Sequence, residues 1–415
     1  MRNLYIFICM VLSANIFQPA TAQFQLEGYS YIDGSPVRVE IRDGKISAVE
    51  RIEKFTDETN RQFIAPGLID SQVNGFAGVS FSFAGGELTR EGVRKVTRAL
   101  WEKGVTSYLP TLTTNSHELL IRNLEVLAGT IDDEALLGSI PGFHMEGPYI
   151  NPEDGYRGAH PRQHIRKPDR EEFMAYRQAS GGRILAVTLA PEMEGALDFT
   201  RHCTAEGIVV ALGHHNAPTR VIDQAVANGA KISTHLGNGC ANMINRHVNP
   251  LWPQLANDGL SISIICDGFH LLPEEIRVFY GIKGPERTIL ISDVTSYAAL
   301  PPGEYLTPDG EAIELTSEGM LRYPAQNVLY GSASAISKGV VHIMKVTGCS
   351  LADAIRMAST NPADLYGLGD RGVIEPGKRA DLILFTIGND DLEIQRTYVR
   401  GKLVYEADRT GSKHP

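Results

Sequence analysis

Eight apolar runs of strand length, separated by longer amphipathic stretches, fill the middle of this chain and leave few folds open to it. The runs are Pro66–Asn74, Val105–Thr111, Gly138–Glu146, Ile184–Ala190, Ile208–His214, Lys231–Leu236, Ser261–Asp267 and Thr288–Asp293. Between most of them lie helical patterns such as Gly92–Lys103 and Arg220–Asn228. Strands that alternate with helices return in parallel, because each helix carries the chain back across the sheet. Eight such units between residues 66 and 365 favour an α/β fold of the (β/α)8 TIM-barrel type. A doubly wound open sheet is the rival, but no glycine-rich nucleotide fingerprint follows an early strand.

Both ends of the chain read differently. Val37-Arg38-Val39-Glu40-Ile41 alternates, and Asp43-Gly44 is a hairpin turn into Lys45-Ile46-Ser47-Ala48-Val49. Short strands return at Ala380–Phe385, Thr397–Arg400 and Leu403–Tyr405. Residues 23–65 and 366–415 therefore form one small β-sandwich domain built from both termini, flanking a barrel at 66–365. Residues 1–22 have a basic start, an apolar stretch from Leu4 to Phe17 and a small-x-small site at Ala20-Thr21-Ala22. That is the pattern of a secretory signal peptide, too short for an integral membrane span, and it places the mature protein in the periplasm or outside the cell. Cys203, Cys240, Cys266 and Cys349 are widely spaced and read as isolated thiols. A net charge of −10 argues against nucleic acid or an anionic membrane as partner, since both reward a basic surface.

The chemistry gathers where strand runs end. Glu146 closes an apolar run and is followed at once by Gly147-Pro148, while two later runs deliver His214 and His235 and a further one Asp293. One carboxylate and two imidazoles can hold a divalent metal with open positions for water and substrate, and a nearby aspartate can move protons. In the first run Gln72 and Asn74 share a face, because strand side chains alternate with period two. A binuclear centre wants His-x-His there. Neutral amides are poor ligands for a transition metal, so a second ion is expected to be missing.

These stretches, in this order, resemble the N-acetylglucosamine-6-phosphate deacetylases of the amidohydrolase superfamily. The likeness runs through Ala65-Pro66-Gly67-Leu68-Ile69-Asp70 with Gln72 and Asn74, His144-Met145-Glu146-Gly147-Pro148, Gly213-His214-His215-Asn216-Ala217, Thr234-His235-Leu236, Asp267-Gly268-Phe269-His270 and Ser292-Asp293. It closes on Gly372–Leu382, the superfamily's return into its β-domain. The resemblance implies one divalent metal, usually zinc or iron, on Glu146, His214 and His235, with Asp293 as the catalytic acid–base. It implies that His160 and His270 contact the sugar, with Gln72 and Asn74 also on the substrate side. It further implies that the loop after His235 supplies Asn238, the main chain near Gly239, and Arg246 to a sugar phosphate, partly across a homodimer interface. His215, next to His214, is expected to face away.

The expected reaction is hydrolysis of the acetamide of N-acetylglucosamine 6-phosphate or a close N-acetyl amino sugar, releasing acetate and the amine. Two departures keep a second reading open. The loop reads Gly237-Asn238-Gly239-Cys240, with glycine where better-known relatives carry a bulkier residue before the asparagine. Asn249-Pro250-Leu251-Trp252-Pro253 stands where a glycine-rich turn is expected. An exported amidohydrolase acting on an unphosphorylated N-acyl compound fits these features and the leader. A catalytically silent carbohydrate-binding barrel is a third reading, against which the intact metal and acid–base positions argue.

Overall fold

The computed structural model describes residues 23–56, 61–82, 87–307, 310–325 and 328–408, and the expected signal peptide lies outside the described residues. All eight expected barrel strands form. They are β1 (Leu68–Val73), β2 (Val105–Thr113), β3 (Phe143–Glu146), β4 (Ile184–Leu189), β5 (Val209–Leu212), β6 (Ile232–Ser233), β7 (Ser261–Ile265) and β8 (Thr288–Ile291). Each pairs in parallel with its neighbour in the sequence. A parallel bridge between Val73 and Val294, with the Asn74 N–H donating to the Val294 carbonyl at 2.8 Å, brings the last strand back to the first.

The strands are apolar on the side that meets the helices. Val210, Leu212, Ile262 and Ile264 pack with Ile222 and Ile276 of the helices Thr219–Ala227 and Pro273–Lys283. Inside the barrel, hydrogen bonding takes over. His144 Nδ1 meets the Ser71 carbonyl at 3.2 Å and its Nε2 meets Thr188 Oγ1 at 2.8 Å, while Thr188 bonds Thr234 at 2.8 Å. This layer ties four strands together beneath the mouth. Its buried polar groups are satisfied mostly by one another, as an interior of this kind requires.

Both termini meet in one seven-stranded sheet, in the order Lys402–Glu406, Leu392–Val399, Leu382–Ile387, Phe63–Pro66, Gln23–Ser30, Pro36–Arg42, Lys45–Arg51. The expected hairpin turns at Asp43 and Gly44, whose φ of 54° and 72° are the left-handed pair that a tight two-residue turn needs. One face of the sheet buries Val39, Ile41, Ile64 and Leu382 in its own core, and the other sends Ile383 and Phe385 into the barrel's core. Phe63–Pro66 runs into β1 through Gly67, where a Cβ would lie 2.1 Å from Thr106 Oγ1. No side chain fits there.

A third element was not legible in the sequence. Gly303–Leu306, Ala312–Leu315, Leu321–Tyr323 and Val328–Leu329 form a four-stranded antiparallel cap between β8 and the helix Ile336–Thr347. Its small core of Ile313, Leu315, Leu321, Tyr323 and Tyr330 leans on Ala159 of the loop after β3. Strands of two to four residues carry too few alternations to show a period. Among the described residues, no helix is long and apolar enough to cross a membrane.

Candidate active site

The expected strands β5 to β8 run through His214, His235, Asp267 and Asp293, but each observed strand stops two residues short of that side chain. The chain then bends. His214, His235 and Asp293 have φ of 53°, 31° and 52°, in the left-handed region that L-residues with side chains rarely adopt. Each such residue costs on the order of 1–3 kcal/mol, a strain that the surrounding packing must hold. The bend aims all three side chains into the barrel mouth, where strand alternation would have sent some of them outward. Glu146 needs no bend, since it is the last residue of β3 itself.

There the three expected ligands converge. Single donor atoms of Glu146, His214 and His235 lie within 4.8 Å of one another, and all three residues are buried. His235 Nε2 lies 3.0 Å from Glu146 Oε1 and 3.1 Å from His214 Nε2, and His214 Nε2 lies 3.4 Å from Glu146 Oε1. His214 Nδ1 is 2.9 Å from the Tyr156 carbonyl, which can only accept. The ring proton is therefore on Nδ1, and the Nε2 lone pair points bare into the cluster, as a metal ligand's does. Burial alone would raise the Glu146 carboxyl, but the His214 and His235 rings that face it outweigh burial and hold it well below the usual carboxylate range. These residues fit a divalent cation: two neutral nitrogens and one ionised oxygen, desolvated and mutually crowded without it.

Asp293 stands beside this cluster. Its Oδ1 accepts from Asn74 Nδ2 at 2.7 Å and from Gln72 Nε2 at 3.0 Å, and the same Gln72 nitrogen donates to Glu146 Oε1 at 2.9 Å. Burial, and then the nearby Glu146 charge, push the Asp293 carboxyl up. The sequence reading put Gln72 and Asn74 on the substrate side, whereas the structure spends both amide nitrogens on the two carboxylates. Gln72 is not part of the cavity wall. Asn74 Oδ1, buried and without a partner among the described residues, is on the wall and remains available to a ligand.

The mouth opens into a cavity of about 370 Å³. His160 and His270 both line it. His160 Nδ1 meets Thr114 Oγ1 at 2.8 Å and its ring packs 4.3 Å from that of His214. Burial first, and His214 second, lower its pKa to about 3, so it stays neutral. Asn238 and Gly239 also line the cavity, although the Asn238 N–H is already given to the His235 carbonyl at 2.8 Å. Arg246 is not brought in. It is exposed on the loop, outside the cavity wall, and its carbonyl accepts from Trp252 Nε1 at 3.0 Å. His215 turns away, buried, with Nδ1 accepting from the Ala217 N–H at 3.2 Å.

Sequence reasoning missed much of the wall, including Val328, Leu329 and Tyr330 from the cap, with Phe269 and Thr295. Only Phe269 had a signal, its place in the Asp-Gly-x-His stretch. Gly158 was also passed over, and it matters. With φ of 57°, its missing Cβ would sit 3.1 Å from His214 Cε1. Gly158→Ala is expected to strain the loop and press on that ring. Changes to residues supporting a ligand typically weaken metal binding about 10–100-fold, and metal titration of the variant by calorimetry checks this.

The sequence profile of the amidohydrolase family matches residues 63–404. The human N-acetylglucosamine-6-phosphate deacetylase is 34% identical over 389 residues, covering 89% of this chain and 91% of that protein. The N-acetylgalactosamine-6-phosphate deacetylase of Escherichia coli O157:H7 is 30% identical over 88% of this chain and 94% of its own length. A mutant of the Mycobacterium smegmatis N-acetyl-D-glucosamine-6-phosphate deacetylase, solved in complex with N-acetyl-D-glucosamine-6-phosphate, superposes with a TM-score of 0.82 at 25% identity, covering 92% of this chain and 99% of that one.

Proposed function

We propose, from the premise that this chain belongs to the amidohydrolase family together with the N-acetylglucosamine-6-phosphate deacetylases, that it removes the acetyl group from an N-acetylated amino sugar 6-phosphate. The observation that carries this reading is the Glu146, His214 and His235 cluster with the Asp293 carboxylate held beside it. Zinc or iron(II) suits two imidazoles and a carboxylate. When bound, such an ion supplies Lewis acidity and a water that is acidic enough to attack near neutral pH.

The remaining work falls to the chain. Asp293 takes the proton of the attacking water and passes a proton to the departing amine nitrogen, which is otherwise a very poor leaving group. Asn74 and Gln72 hold Asp293 in place through its Oδ1, leaving the other oxygen for these transfers. The neutral His160 ring beside the cluster can give an N–H to the acetamide carbonyl as its oxygen gains charge. Products are acetate and the free amino sugar.

A second reading is favoured by one observation: among the described residues, no lysine or arginine lines the cavity. Either a second copy of the chain brings Arg246 to the phosphate, or the substrate carries none. Acetate release from N-acetylglucosamine and N-acetylgalactosamine, each with and without 6-phosphate, tests both. Release from none of the four sugars rejects the deacetylase reading. In the dimer version, Arg246→Ala raises KM for the phosphorylated sugar about ten- to a hundredfold, the loss of a hydrogen bond to a charged group, and spares the unphosphorylated one. If the two substrates respond alike, Arg246 supports its loop and does not read phosphate. Export is part of the proposal as well, and sequencing the N-terminus of the mature protein, expected at Gln23, checks it.

A further inference from the structure

Asp267 and His270 form a closed pair in the loop that follows β7. Asp267 Oδ1 accepts the main-chain N–H groups of Phe269 at 2.9 Å and His270 at 3.0 Å, and Oδ2 faces His270 Nδ1 at 2.7 Å. Gly268 makes the turn with φ of 88°, and a Cβ there would lie 3.5 Å from the His342 ring behind it. The two side chains are only 4% and 6% exposed. Burial pushes the Asp267 carboxyl up, but the His270 ring and the two amides outweigh it and hold it at about 2.

An ionised carboxylate only accepts hydrogen bonds, so the ring proton of His270 must sit on Nδ1. Nε2 is then the ring atom left for a ligand, since His270 lines the cavity. In the neutral ring it is an acceptor. On taking up a proton it becomes a cationic donor with the Asp267 carboxylate behind it. The opposite tautomer puts a neutral N–H donor on Nε2 and takes that acceptor away. Other charged or titratable neighbours are placed elsewhere: Lys338 lies over the Phe269 ring at 4.6 Å, His342 backs Gly268, and Asp293 is tied to Asn74 and Gln72.

We propose that Asp267 is a positioning residue for this site, fixing His270 as the Nδ1–H tautomer so that Nε2 meets the bound substrate. The substrate part rests on the amino-sugar reading above, and the tautomer part does not. In Asp267→Asn, the carboxamide oxygen can keep the two main-chain contacts while its NH2 group faces Nδ1. The turn survives and the ring proton must move to Nε2. KM is expected to rise about tenfold, near the lower end for losing a charged hydrogen bond, with kcat within about threefold and metal content unchanged. In a His270→Ala background the same substitution should alter KM less than about twofold, since residues acting through one another are not additive.

The imidazole nitrogen shifts of His270 in nitrogen-15-labelled protein read the tautomer directly, without substrate. They should report Nδ1–H in the wild type and Nε2–H in Asp267→Asn. An unchanged tautomer in the variant overturns the proposal. So does a full Asp267→Asn effect in the His270→Ala background. A wild type with the expected tautomer that deacetylates no sugar overturns the functional reading alone.

Discussion

Asp293→Asn is expected to leave a folded, metal-loaded protein that turns over about 10²–10⁴-fold more slowly, the usual worth of a positioned acid–base group. Asparagine tolerates the left-handed backbone at φ 52° better than other side chains. Its carboxamide oxygen can still accept from Gln72 and Asn74, which meet only one oxygen of the native carboxylate. What disappears is the proton acceptor. Because one residue serves both proton transfers, the loss should fall on kcat and on kcat/KM together. Steady-state kinetics beside a metal analysis of the same preparation checks this. A variant retaining more than about a tenth of the wild-type rate would assign the proton transfers to another group, with His160 the first to examine.

Metal removal should have the other large effect. One divalent ion per chain is expected, because the Gln72 and Asn74 nitrogens that occupy the His-x-His positions already donate to Glu146 and Asp293. An N–H aimed at a carboxylate stands where a second cation would need a lone pair. Chelation should abolish acetate release, and one equivalent of metal should restore it. Stability should follow as well. A ligand at a thousandfold excess over its dissociation constant adds about 4 kcal/mol to the folded state, so the stripped protein should melt at a clearly lower temperature. Glu146→Ala should reproduce the stripped state in both respects, since it removes the single anionic ligand from between two facing imidazoles. A requirement for two equivalents per chain would overturn the one-ion centre.

The sequence by itself determined the layout. Eight apolar runs alternating with amphipathic ones dictate parallel pairing, and the order of pairing follows the order of the chain. Glu146, His214, His235 and Asp293 could be named because apolar runs that end on charged or imidazole side chains are rare in a core. The hairpin through Asp43-Gly44 was equally legible, since those residue types take left-handed turns. All of these are local signals, carried by neighbouring residues and by side-chain period.

Only the tertiary structure decided what local signals cannot carry. Gln72 and Asn74 changed meaning when β1 met β8, since their partners, Glu146 and Asp293, lie far along the chain. The left-handed bends at His214, His235 and Asp293 are held by the surrounding packing, and since any single histidine or aspartate takes that region only occasionally, no propensity announces them. The cap over the cavity has strands too short to show a period, and Arg246 was kept off the wall by a loop whose path no spacing reveals. Asp267 read only as a companion of His270 until the turn at Gly268 folded its carboxylate onto the ring. Which proton a histidine carries is set by what stands across from it, and that is a property of the fold.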